Sequence, residues 1–146
     1  MYMFDVIKWR VGFIKVNNAS SENRLKGVAK ALELLDADIL NPERPVLVKP
    51  NFVTTTNQLA ATHVDATRAT LEYLSNKGVN EFVIAVGPAL GTPDSGFDNY
   101  GYRDLRKDYK IEFMDLNTDD SIPVPAFDDH LNPQTLYMSR RLSESY

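Results

Sequence analysis

The chain has 146 residues, of which 43% are hydrophobic and 25% are charged, so its composition favours one ordinary globular domain over a disordered or fibrous chain. Its net charge of -4 comes with no concentrated basic run, which argues against nucleic-acid binding. The absence of cysteine excludes a thiolate zinc site and a cysteine-ligated iron–sulfur cluster within the chain, and no apolar stretch reaches the ~20 residues of a membrane helix. We therefore expect a cytoplasmic domain without a cofactor of its own, a membrane contact or a nucleic-acid partner.

Hydrophobic periodicity predicts the first two elements of the chain. Apolar and polar residues alternate from Val6 to Val16, which predicts a half-buried strand. A helical stripe from Leu25 to Leu35 follows, with Ser20 or Ser21 as its N-cap. The apolar side of the predicted strand holds Ile7, Trp9, Val11 and Phe13.

A second strand and a second helix are predicted next. Val46-Leu47-Val48 is a short continuous apolar run, typical of a strand that is covered on both faces. A helical stripe then runs from Val64 to Leu74, and Gly78 is its expected C′ residue. Thr62 and Asp65 have the spacing of a capping box at the start of this helix.

The following segment predicts two more strands. Residues 82–86 form another continuous apolar run, and residues 87–96 are too rich in glycine and proline for a regular element. A weaker helix is predicted over residues 99–109, with Gly101 counting against it, before a strand at residues 111–116.

The last part of the chain predicts extended structure. Residues 122–125 contain two prolines, which confine a strand to the edge of a sheet, and residues 136–138 form one more short strand. The alternation of strands and helices along the chain is typical of right-handed βαβ units. We therefore expect one α/β domain over residues 1–146, with a Rossmann-like, mostly parallel sheet in two or three layers and mixed edge strands.

Polar residues follow the predicted buried strands, where ligands of parallel sheets bind. Lys49 offers a cation to an anionic ligand, although it could instead pair with a carboxylate or reach solvent. Asn51 could bind the same ligand or close its own turn, and His63 could contact the ligand or transfer a proton. Lys49 and His63 are thus the catalytic candidates. The predicted ligand-binding residues are Lys49, Asn51, Thr62, His63, Gly87 and Gly91.

Other polar features of the same edge carry weaker signals. The loop after residue 86 matches neither of the glycine-rich phosphate motifs, although its backbone could approach a phosphate. Thr62 and Asp65 can serve the helix start whether or not a ligand binds. The lone His63 has no second histidine at ligand spacing, and the acidic residues Asp115, Asp119 and Asp120 match no calcium loop, so we predict no metal.

The segment Val46-Leu47-Val48-Lys49-Pro50-Asn51 resembles the V-L-I-K-P-N motif of the "domain of unknown function 362" family. Val64 stands where that family has a proline, and Gly87-Pro88 lacks the acidic residue that commonly follows the glycine. Four further segments of the chain resemble motifs of the family. The first is Thr62-His63 with Ala66, Arg68, Ala69, Leu74 and Lys77-Gly78, and the others are Phe82 to Pro88, Gly101-Tyr102 and Asp115-Leu116-Asn117.

The resemblance implies a domain that matches the N-terminal part of a longer family domain, since family members usually continue past the position of Arg140. Some members carry cysteine motifs for iron–sulfur clusters, and this chain has no cysteine. One hypothesis is an enzyme, or half of one, that binds a small anionic metabolite. The alternative is a non-catalytic or incomplete module that works by self-association as a homo-oligomer or with a separate partner chain. Phe97, Tyr100, Tyr102, Phe127 and Tyr137 could supply its interface, with core packing as the more common role for most of them.

Overall fold

The computed structural model describes residues 11–18, 20–35 and 43–144 of the chain. Their helices and strands alternate at first and end in a β-hairpin followed by a short helix. In chain order the elements are α1 (Ser21–Leu35), β1 (Val46–Val48), a 3₁₀ turn (Gln58–Ala60), α2 (Val64–Asn76), β2 (Glu81–Val86), α3 (Pro93–Asn99), a 3₁₀ helix (Tyr102–Lys107), β3 (Lys110–Asp115), β4 (Ser121–Phe127), β5 (Pro133–Ser139) and α4 (Arg140–Glu144).

The central feature is a three-stranded parallel sheet in the order β1-β2-β3. Val48 pairs with Ile84, and Val86 pairs with Asp115, so the three strands run the same way and end at the same edge. All residues of β2 after Glu81 are buried, as expected for a central strand that is covered on both faces. The predicted α/β class and parallel strands are confirmed.

The larger core lies on the sheet face that carries Phe82, Ile84 and Val86. Leu71 and Leu74 of α2 join it, which confirms the predicted helical stripe. Three of the aromatic residues considered for a self-association interface are buried in this core, so the packing alternative is the correct one for them. They are Phe97 (1% exposed), Tyr100 (6%) and Tyr102 (0%).

The helix boundaries follow from local hydrogen bonds. Ser20 caps α1, because its Oγ accepts from the Asn23 N–H at 3.3 Å, as predicted. Gly78 has a φ of 96° just beyond α2, and the Val79 N–H reaches back to the Leu74 carbonyl at 3.1 Å. The predicted C′ glycine is therefore confirmed.

The strand predicted from Val6 to Val16 is wrong where the structure describes it, and residues 6–10 lie outside the described part. Residues 11–16 form no strand and lie against α1 instead. A Cβ at Gly27 of α1 would be 2.6 Å from Cγ2 of Val16. Val11 and Phe13, on the side predicted to be buried, are 86% and 84% exposed. The two sides of this segment do differ, but the element packed against it is the helix α1, which contacts the side opposite to Val11 and Phe13.

The helix predicted over residues 99–109 is confirmed only as the 3₁₀ helix Tyr102–Lys107, and its bounds are wrong. α3 lies earlier, in a stretch predicted to be irregular, and Gly101 with a φ of 72° separates it from a 3₁₀ helix. Pro93 stands in the first turn of α3, where a missing N–H costs no helical hydrogen bond. Thr92 caps the helix by accepting from the Ser95 N–H at 3.4 Å.

The extended segments predicted near the C-terminal end are confirmed as strands, but not as edge strands of the parallel sheet. β4 and β5 form a separate antiparallel sheet, in which Ser121 pairs with Ser139 and Phe127 pairs with Pro133. Arg141 of α4 bonds to Glu112 of β3 at 2.7 Å and links the hairpin to the parallel sheet. This bond lowers the pKa of the Glu112 carboxyl.

Candidate functional site

The loops that leave β1 and β2 run side by side at the carboxyl edge of the sheet. The pairing offset between Val48 and Ile84 recurs at an isolated parallel bridge between Thr54 and Leu90. Asn51 therefore leaves the sheet beside Gly87. The two loops therefore leave the sheet together at the edge where parallel-sheet topology predicts ligand binding.

A pair of hydrogen bonds fixes the backbone at Asn51. The Asn51 N–H donates to Oγ1 of Thr62 at 2.9 Å, and the Thr62 N–H donates to the Asn51 carbonyl at 2.8 Å. Tyr102 then donates its hydroxyl to the Thr62 carbonyl at 2.9 Å and lies 3.0 Å from Oγ1 of Thr67. Because Tyr102 is buried, its pKa rises to about 12, so it stays a neutral donor. The loop that carries Asn51 is thus anchored to the core.

His63, not Thr62, is the N-cap of α2, so the predicted capping box is wrong. The Asp65 N–H donates to Nδ1 of His63 at 3.1 Å, which places the ring proton on Nε2. The Thr62 hydroxyl is already used by Asn51. Asp65 instead accepts from Nε of Arg24 at 2.8 Å and ties α1 to α2. The free edge of the His63 ring is its Nε2 side.

Two glycines of the β2 loop allow close packing between loops. A Cβ at Gly87 would lie 2.8 Å from Oδ1 of Asn117, whose Nδ2 donates to the Pro88 carbonyl at 3.0 Å. A Cβ at Gly91, where φ is 90°, would lie 2.0 Å from Oγ1 of the buried Thr55. A side chain at Gly91 would push these loops apart, whereas one at Gly87 would displace the Asn117 carboxamide. Asn117 therefore ties the segment after β3 to the loop after β2.

Three polar groups at this edge have no bonding partner within the described part of the chain. They are the exposed Lys49 ammonium, the exposed Asn51 carboxamide and Nε2 of the partly exposed His63. Elsewhere, basic side chains form ion pairs with acidic ones, as Arg68 does with Asp108 at 2.5 Å. The structure thus places Lys49 and Asn51 on one loop and joins His63 to it through Thr62.

Some residues of this site were missed by reasoning from sequence. Tyr102 and Asn117 reach the edge from segments far along the chain, and no periodic pattern marks such hydrogen bonds. Their only sequence signal was the family resemblance, which included both. Over the ranges that the structure describes, we find no group of three metal-binding side chains, and no helix there is long and apolar enough to cross a bilayer.

The elements and this edge define an α/β protein with a short parallel sheet whose strands end at an edge that carries exposed polar residues. A model of the family described as "Domain of unknown function (DUF362)" matches residues 46–145, so the chain belongs to that family and the expected resemblance is confirmed. A search of curated proteins and a search of solved structures each found no match. The family description names no activity, and the protein is an uncharacterised α/β domain.

Proposed function

We propose that this domain binds a small anionic metabolite at the carboxyl edge of its parallel sheet. The observation that carries the proposal is the exposed Lys49 ammonium, which follows β1 and has no carboxylate partner within the described residues. A cation held beside backbone and amide donors attracts phosphate or carboxylate groups more strongly than a cation in open solvent. Its position where parallel strands end is the usual place for such a ligand.

The surrounding groups supply hydrogen bonds that fit an anion. The carboxamide of Asn51 and Nε2–H of His63 are both available donors. In the loop after β2, Gly87, Ala89 and Gly91 are exposed, whereas Pro88 has no N–H and the Leu90 N–H donates to the Val53 carbonyl at 3.2 Å. Thr62 supports the site indirectly, since its hydroxyl holds the Asn51 backbone. Lys49 and His63 remain the candidates for catalysis if the bound molecule is also transformed.

Calorimetry tests this proposal. Inorganic phosphate, pyrophosphate and citrate are each titrated into the whole chain and into the Lys49→Gln variant, and the heat of binding is measured. A charge-assisted hydrogen bond contributes about 1.5–3 kcal/mol, so we expect affinity for the binding anion to fall about tenfold or more. Because Lys49 is exposed, the Tm should not change. Lys30→Gln on α1 is the matched control, since it removes an equally positive and exposed group away from this edge.

A second variant separates ligand contact from helix capping. His63→Asn keeps a good N-cap at the start of α2 but removes the imidazole, so it should weaken anion binding while leaving stability unchanged. If Lys49→Gln and Lys30→Gln bind every anion as the unchanged chain does, the site is not where we propose.

A Rossmann-like layering, a homo-oligomer and a cytoplasmic location stay predictions.

A further inference from the structure

The β4–β5 hairpin exposes apolar side chains that a two-stranded ribbon cannot cover. Phe127 is 65% exposed, Leu136 is 52% exposed and Tyr137 is 73% exposed. An isolated two-stranded hairpin is marginally stable in water, and three or more strands are normally needed. The hairpin therefore gains stability from any strand that adds to one of its edges.

The two edges of this hairpin differ chemically. Prolines cannot donate a hydrogen bond, so the pairs Pro123–Tyr137 and Pro125–Thr135 are the non-hydrogen-bonded pairs of the ladder. Hydrogen bonds at both ends of the hairpin agree with this, because they join even-numbered residues. The Arg140 N–H donates to the Asp120 carbonyl, and the Asp128 N–H donates to the Asn132 carbonyl. Odd-numbered residues of both strands therefore direct their backbone groups outward.

The outer edge of β4 is consequently blocked at its two central outward positions, whereas the outer edge of β5 lacks an N–H only at Pro133, next to the turn. At Pro123 and Pro125 β4 has no N–H to offer, a device that protects sheet edges from pairing. Thr135 and Tyr137 of β5 direct both an N–H and a carbonyl outward. Neither strand contains a charged residue, so β5 also lacks the lysine that commonly protects an edge.

We propose that the β5 edge pairs with the β5 edge of a second copy of this chain. An antiparallel pair about a twofold axis at Leu136 sets Thr135 opposite Tyr137 of the second copy and Leu136 opposite itself. No charged groups meet in that arrangement, because β5 has none. The product is a four-stranded sheet whose outermost strands are the two proline-blocked β4 strands. Association therefore closes at a dimer and does not continue as a fibre.

This interface is independent of the anion site, because its residues all lie on the hairpin. The occupant is a second copy because an uncharged, self-complementary edge fits itself, and the opposite edge is closed to further strands. Of the aromatic residues expected at an interface, Phe127 and Tyr137 are the two that the hairpin leaves exposed.

The first test compares Thr135→Pro with Thr135→Ala in a dilution series followed by analytical ultracentrifugation of the full chain. Proline removes one outward N–H from each copy without removing a bond inside the hairpin, as Pro125 already shows on β4. Two lost hydrogen bonds should weaken the dimer about tenfold or more. Thr135→Ala keeps the N–H and should leave the dissociation constant within about twofold of the unchanged chain.

The second test uses charge to identify the partner. Leu136→Lys and Leu136→Glu should each be monomeric, because like charges oppose each other at the twofold axis. An equimolar mixture should recover a heterodimer, which native mass spectrometry resolves and which also shows that both variants fold. The proposal is overturned if the unchanged chain is monomeric at about 1 mM, if Thr135→Pro dimerises normally, or if the mixture associates no better than either variant alone.

Discussion

β2 of the parallel sheet and β5 of the hairpin are strands of similar length in opposite surroundings. β2 has five of its six residues buried, whereas β5 has six of its seven residues exposed. β2 lies between two parallel neighbours, and its apolar residues meet core on both faces. β5 has one neighbour and an open edge.

The difference shows how sequence pattern and sheet position constrain each other. A central parallel strand can be a continuous apolar run, because every side chain enters a core. A hairpin strand with prolines cannot enter the middle of a sheet, because it lacks donors for one of two neighbours. β4 therefore ends a sheet, and within the hairpin the edge left for association is that of β5.

The largest effect that separates the two sheets should come from removing one phenylalanine from each. Phe82 is 2% exposed and contacts the ring of Tyr109, while Phe127 is 65% exposed. Phe82→Ala should lower the free energy of unfolding by about 3–5 kcal/mol, measured by urea denaturation. Phe127→Ala should cost less than about 1 kcal/mol.

The milder pair Phe82→Leu and Phe127→Leu covers the case in which Phe82→Ala does not fold. The same order should hold with smaller differences, because leucine fills part of the cavity. Equal losses at the two positions would contradict the contrast between a packed core and an open ribbon.

A buried hydroxyl gives the next largest effect. Tyr102→Phe removes the donor that holds the Thr62 carbonyl and leaves Thr67 without its partner. We expect a loss of about 1–3 kcal/mol in the free energy of unfolding, because buried polar groups are left unsatisfied. Tyr137→Phe, at a side chain that is 73% exposed, is the control and should be close to neutral. A neutral Tyr102→Phe would mean that the anchor of the Asn51 loop is unimportant.

The same tyrosine predicts a pH dependence. Burial raises the pKa of Tyr102 from 10.0 to about 12, so the folded chain holds this proton more tightly than the unfolded chain does. The resulting stability is fully present below pH 10 and is lost as the pH rises towards about 12. Urea denaturation across this window should show a steeper decline for the unchanged chain than for Tyr102→Phe. Parallel declines would show that another group controls alkaline unfolding.

Sequence patterns predicted the parts of the fold in which local order and burial agree. The strand at Phe82 to Val86 and the helix end at Gly78 were predictable without tertiary information, because each sequence pattern is compatible with one local structure. The prediction that Val11 and Phe13 are buried was wrong, because an alternating pattern does not say which face of the segment is covered. The prediction of irregular structure around Pro93 was wrong, because proline breaks a helix in its interior but is well suited to the first turn of one.

The candidate site was predictable to a similar, limited extent. Topology alone predicted that Asn51 and Gly87 would leave the sheet at one edge, and they do. The bond from Tyr102 to Thr62 spans 40 positions and was not predictable from a local pattern. Ligand binding by Lys49 stays a prediction, since charge and exposure describe what a side chain can do and not what it meets.

The smallest effect should come from the turn of the hairpin. Leu131 is 78% exposed and adopts a φ of 63°, which costs an L-residue roughly 1 kcal/mol and costs glycine nothing. Three-residue hairpin loops favour glycine at this position. Leu131→Gly should therefore raise the free energy of unfolding by about 0.5 kcal/mol, because the greater freedom of glycine in the unfolded chain offsets part of the gain. Leu131→Ala keeps a Cβ in the left-handed region and should be close to neutral. If glycine stabilises no more than alanine in urea denaturation, this turn does not limit the hairpin, and its stability depends on the strand that pairs with β5.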